Sequence, residues 1–216
     1  MDDIDSRETR SIILERAREL FLALGYHNTT MRAIATAAGI STGPLYFHFR
    51  NKAEVYFHIC SDALDYLIAD FRRAAGEDCH AALRLKNIYN VYKSFYYREP
   101  QLFEIMHLAT NIMGGIDLSP PLENTLNNKS QELVLIMEGV VREGIACQEL
   151  RPVDPSKLAL FLYSVAEGVF HSNRTGVLQR AEVSLDEMIE TAIDLISYSL
   201  FEREEIGQCK HVGNKV

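Results

Sequence analysis

A chain of 216 residues with 47% hydrophobic and 24% charged residues has globular composition and length for one or two domains, which excludes disordered and fibrous classes. No apolar run approaches the roughly 18 residues of a membrane span, and the acidic, polar opening Met1–Arg10 does not read as a secretory leader. The net charge of −8 argues at first sight against a nucleic-acid partner. In chain order every segment has helical periodicity. Ile13, Ala17, Leu20, Phe21 and Leu24 mark an amphipathic helix from about Ser6 to Leu24, with Gly25 suited to close it. Thr30 can cap a short helix, Met31 to Ala38, closed by Gly39. Ser41 can cap another, Thr42 to Phe49, through the amide of Gly43, because Pro44 in the first turn has no N–H to offer. A long helix follows from Lys52 to about Ala74. Further helices are expected at Ala81–Arg98, from Pro100 to near Gly114–Gly115, from Ser119 to about Cys147, at Ser156–Asn173 and from Leu185 to about Glu204. The expected fold is all-α, with about nine helices. It divides into a segment of short helices at 1–51, a longer helical segment at 52–206, and a flexible tail at 207–216.

The two short helices joined at Gly39-Ile40-Ser41 form a helix-turn-helix. Small Ala35 lets the helices cross closely, Gly39 supplies a positive φ, and Ile34, Ala38, Ile40 and Leu45 make the inner seam. Phe49, and in part Phe47, read as core. Thr42, Gly43, Tyr46 and His48 face outward on the helix that enters the major groove, with Ser41 at its head. Arg32 and the Lys52 helix start are placed to hold phosphates. The charge distribution supports this. Residues 1–52 carry a net +1 and residues 53–216 a net −9, and no acid occurs from Leu20 to Ala53.

The strings Thr29-Thr-Met-Arg-Ala-Ile-Ala35 and Ala38-Gly-Ile-Ser-Thr-Gly-Pro-Leu-Tyr-Phe-His-Phe-Arg-Asn-Lys52 resemble the N-terminal signature of the tetracycline-repressor (TetR/AcrR) family. The resemblance covers about the first quarter of the chain. It implies a homodimer that binds palindromic operator DNA and is released by a small effector. By position it marks Thr30, Arg32, Thr42, Gly43, Tyr46, His48 and Lys52 as DNA contacts. Pro44 falls where members of the family vary.

Two apolar helices near the C-terminus fit a four-helix dimer interface. Its expected residues are Leu158, Phe161, Leu162, Val165, Val169, Leu185, Ile189, Ile193, Ile196 and Leu200. A pocket for a small, apolar or aromatic effector is expected from Tyr89, Tyr92, Phe95, Tyr96, Met106, His107, Met113 and Phe161. No catalytic residue, cofactor or metal is expected. The chain lacks a phosphate loop, a nucleophile elbow and HExxH, and Cys79-His80 and His58-x-Cys60 have ligand spacings that diverge on a helix. Cys60, Cys79, Cys147 and Cys209 form no CxxC pair, which suits a reduced, cytoplasmic setting. The competing classes are a helical partner-binding protein without DNA function and an activator.

Overall fold

A computed structural model describes residues 2–107 and 116–200, and among these ten helices and no strand occur. They are α1 (Asp2–Leu24), α2 (Met31–Ala37), α3 (Thr42–His48), α4 (Lys52–Ala75), α5 (Ala81–Arg98), α6 (Pro100–Met106), α7 (Pro120–Ala146), α8 (Pro155–Arg174), α9 (Val177–Arg180) and α10 (Leu185–Leu200). The one-turn helix α9, set off by Gly176 at φ 73°, was not foreseen. Gly114–Gly115, Met113 and the tail at 207–216 lie outside the described residues. No helix among those described is long and apolar enough to cross a membrane.

The chain forms two compact units, residues 1–69 with 92–131, and residues 70–91 with 132–216. This differs from a division at residue 51. The three-helix head does not close its own core. Ile13, Ala17, Phe21, Ile34, Leu45 and Phe49 pack with Val55, Tyr56, Ile59 and Cys60 of α4 and Ile105 of α6. The Tyr56 hydroxyl donates to the Ile105 carbonyl at 3.1 Å inside that core. Leu24, expected on the buried stripe of α1, is 47% exposed, and on α4 Leu67 turns inward while its neighbour Tyr66 is exposed.

Cys60 of this core is 3% exposed, and burial pushes its thiol up to about 12 from an ordinary value near 9.0. A raised folded pKa stabilises the thiol form, so that contribution is fully present below about pH 9 and is lost as pH climbs toward 12. At pH 7.5 iodoacetamide should label exposed Cys147 in the native protein and spare Cys60 until denaturant is added. Mass spectrometry after a timed quench reads the difference. Equal labelling rates for the two cysteines would contradict the burial.

In the second unit, Gly144 of α7 lets helices meet closely: a Cβ there would stand 2.5 Å from the Ala81 Cβ and 2.9 Å from Leu150 Cδ1. Asp154 caps α8 by accepting from the Lys157 amide at 3.1 Å. Ser184 and Glu187 form a reciprocal capping box on α10, with the Glu187 amide on Ser184 Oγ at 3.2 Å and the Ser184 amide on the Glu187 carboxylate at 2.8 Å.

Candidate nucleic-acid interface

Local chemistry fixes the turn between α2 and α3. Thr30 Oγ1 accepts from the Ala33 amide at 3.1 Å and starts α2. Gly39, at φ 69°, ends it with paired bonds, Gly39 N to Thr36 O at 3.1 Å and Ile40 N to Ala35 O at 3.0 Å. Nothing lies within 4 Å of a Cβ at Gly39, so the positive φ, not space, selects glycine there. Leu45 (0% exposed) and Phe49 (1%) hold α3 to the core. Ile34 and Ala35 face it from α2, with Ala38 and Ile40 partly buried beside them.

Ser41 differs from expectation. It stands at the N-cap of α3 but makes no side-chain capping bond. Pro44 has removed one amide of the first turn, and the exposed hydroxyl points to no other. Ser41 therefore joins exposed Thr42, Gly43 and Tyr46 on the outer surface, with half-buried His48 beside them. Thr30 and Arg32 are exposed as well, and the Thr30 hydroxyl keeps its own proton to donate while it caps α2.

Lys52 has protein partners that the sequence did not reveal. Its Nζ donates to the carbonyls of Tyr26, His27 (3.2 Å) and Thr29 (2.7 Å) and stands 4.3 Å from the centroid of the Tyr26 ring. An ammonium has three protons, and all three are directed at the turn between α1 and α2. Burial lowers its pKa from the ordinary lysine value. In the DNA-free protomer Lys52 is a latch holding that turn to the head of α4.

The same turn is closed from within. Buried Thr29 donates its hydroxyl to the Gly25 carbonyl at 2.9 Å and lies 3.1 Å from the Leu20 carbonyl, and the Asn28 amide group donates to Leu24 O at 2.9 Å. The head of α4 has its own cap, with the Glu54 amide on Asn51 Oδ1 at 2.8 Å and the Glu54 carboxylate accepting from the Arg50 amide at 2.5 Å. The first acid after the acid-free stretch is thus turned to backbone.

Phe47 was assigned partly to the core and is 82% exposed. Helix geometry explains it. Leu45 and Phe49 share a face at i, i+4, and Phe47 lies two residues, about 200° round, from each. That spacing was available in the sequence.

The effector residues are divided. Tyr92, Phe95, Tyr96 and His107 gather round Phe103 in the first unit, with ring centroids 5.7, 6.4, 4.9 and 4.4 Å from it. Met106, the next turn along, packs on the core of the reading head. Tyr89 belongs to the second unit, stacked at 6.2 Å on Phe170, and Phe161 is exposed there. The two grooves described, of about 510 Å³ beside Arg72 and Gly76 and about 330 Å³ beside Leu14 and Ile59, include none of these residues.

The expected dimer stripe is also divided. Val169, Leu185, Ile189 and Leu200 are buried inside the protomer, so they serve its own core. Leu158, Leu162, Val165, Ile193 and Ile196 are half-buried, and Phe161 is exposed. Among the described residues no three His, Cys, Asp or Glu side chains come together as a metal site.

Comparison with known proteins bears on this surface directly. Residues 13–59, spanning α1 to the first part of α4, match the family profile described as "Bacterial regulatory proteins, tetR family". The matched segment has the helix-turn-helix of the tetR family. It is 28% identical over 187 residues to the HTH-type transcriptional regulator SrpR of Pseudomonas putida, covering 86% of this chain and 81% of that protein. The fold also matches FadR of Bacillus subtilis, solved with stearoyl-CoA, at a TM-score of 0.71 and 19% identity, over 86% and 96% of the two chains. A SmeT–triclosan complex matches at 0.73 and 22%, over 91% and 93%. The chain is thus similar to HTH-type, DNA-binding transcriptional regulators, and α3 is the second helix of its helix-turn-helix.

Proposed function

We propose that this chain is a tetR-family repressor that binds a palindromic operator as a homodimer and is released by a small apolar or aromatic effector. In this reading residues 1–51 carry the DNA contact and residues 52–206 the effector and dimer functions. The observation that carries the DNA half is the exposed set Thr30, Arg32, Ser41, Thr42, Gly43 and Tyr46 within a stretch of chain that holds no acid. Two such surfaces must reach successive major grooves roughly 34–36 Å apart, which calls for a dimer. Apolar side chains left uncovered in the protomer suit that dimer: Leu160 (56% exposed) and Phe161 (54%) on α8, and Leu195 (68%) and Tyr198 (61%) on α10. Gly168 of α8 is exposed with open space at its Cβ, which favours close helix approach.

The effector half rests on the aromatic cluster round Phe103. Such a cluster suits a ring or an acyl chain better than a charged ligand. The related folds solved with triclosan and with stearoyl-CoA are of that chemical kind. The cluster is built on α6, and α6 is also where Ile105 accepts from Tyr56 in the core of the reading head. A ligand that binds more tightly to one of two α6 positions would bias the DNA-binding unit by the difference in its affinities.

The test is selection from a random duplex pool with the purified full-length chain. A two-fold symmetric sequence should emerge, and its binding should fall steeply with added salt. Enrichment of no sequence would remove the DNA half. A reporter driven by that operator should rise when the gene is deleted, and a fall would make the protein an activator.

A further inference from the structure

Phe47 is the most exposed large apolar side chain among the described residues, and it stands in the last turn of α3, the helix read here as the recognition helix. Its surroundings give it no internal task. The core-facing positions of α3 are taken by Leu45 and Phe49. Its helical neighbours one turn back are exposed Pro44 and Gly43, and a Cβ built at Gly43 would meet nothing within 4 Å. The His48 ring meets it edge-on at 5.3 Å, on its flank. A phenyl ring has no donor or acceptor, so it cannot hold a phosphate or pair with a polar base edge. The major groove offers one apolar feature, the 5-methyl group of thymine.

We propose that Phe47 reads a thymine methyl in each operator half-site, with the bare backbone of Gly43 beside it allowing α3 to sit deep enough for contact. The proposal rests on the assignment of α3 as recognition helix. It divides labour along the helix. Ser41, Thr42 and Tyr46 carry hydroxyls for polar base edges and phosphates, whereas Phe47 discriminates thymine from cytosine and from unmethylated uracil by packing alone.

The experiment uses the full-length chain and the operator obtained by selection. Each thymine is replaced in turn by deoxyuridine, which removes only the methyl group and keeps every hydrogen bond. Loss of one buried methyl contact corresponds to about fourfold weaker binding. One thymine per half-site should show that loss with the wild-type chain, and Phe47→Ala should bind the thymine and deoxyuridine operators equally. Phe47→Leu should retain part of the preference, and Tyr46→Ala should retain all of it. Phe47 is solvent-exposed, so these variants keep the fold, and circular dichroism checks this. Indifference of the wild type to every replacement, or an undiminished preference in Phe47→Ala, would overturn the proposal while leaving sequence-specific binding intact. Failure to select any operator would instead overturn the DNA-binding reading itself.

Discussion

Replacing Lys52 by alanine is expected to lower the melting temperature by about 5–10 °C and to leave the salt dependence of operator binding unchanged. The substitution strips donors from three carbonyls at once, those of Tyr26, His27 and Thr29, and removes the cation from the Tyr26 ring. The His27 bond is exposed and water can replace it, whereas the Tyr26 and Thr29 bonds are partly buried. The sum is about 2–3 kcal/mol. Lys52→Arg should not restore it, because a planar guanidinium cannot aim three protons at one pocket of carbonyls from a single nitrogen. A phosphate-binding lysine behaves in the opposite way. Its removal flattens the plot of log K against log salt by about one unit per contact and barely moves the melting curve. Calorimetry and a salt titration of the operator complex separate the two. A flattened slope with an unchanged melting temperature would return Lys52 to the DNA surface.

Lys52 also shows which parts of the interface could be read in advance. The cap at Thr30, the glycine at 39 and the buried pair Leu45 and Phe49 are decided by residues within a turn or two, so spacing alone reveals them. The partners of Lys52 lie 23 to 26 residues earlier, and no local pattern says whether a lysine at a helix start faces a phosphate or a neighbouring turn. The same limit separated the two apolar faces of α8 and α10. Periodicity reports that a helix has an apolar stripe and not what covers it. Val169, Leu185 and Ile189 are covered at home. Leu160, Leu195 and Tyr198 lie off that stripe and are exposed on the protomer, and spacing did not single them out. Tyr89 and Tyr92 fall on one helix at adjacent turns, yet they belong to different packing units, because α5 passes from one unit to the other between Val91 and Tyr92.

Phe103→Ala should have the largest effect on stability, about 3–5 kcal/mol. The ring is 1% exposed, its carbonyl lies 2.7 Å from His107 Nδ1, and the Tyr96 ring meets it edge-on at 4.9 Å while the His107 ring stacks on it at 4.4 Å. Removing it takes away the hub round which Tyr92, Phe95, Tyr96 and His107 are arranged, and the surrounding rings, being rigid, can collapse into the space only in part. Phe103→Leu fills most of the volume and should cost about 1 kcal/mol. Urea titration of both variants measures the difference, and its size decides what the cluster is. A ring in the wall of an existing effector cavity already lacks neighbours on one side, so its truncation would cost less than about 1 kcal/mol. A loss near 4 kcal/mol means that the cluster is closed core in the free protein, and an effector must then part these rings to enter. Entry by that route would displace Phe103 on α6, two residues from the Ile105 carbonyl that holds Tyr56, and so would reach the core of the reading head through one buried hydrogen bond.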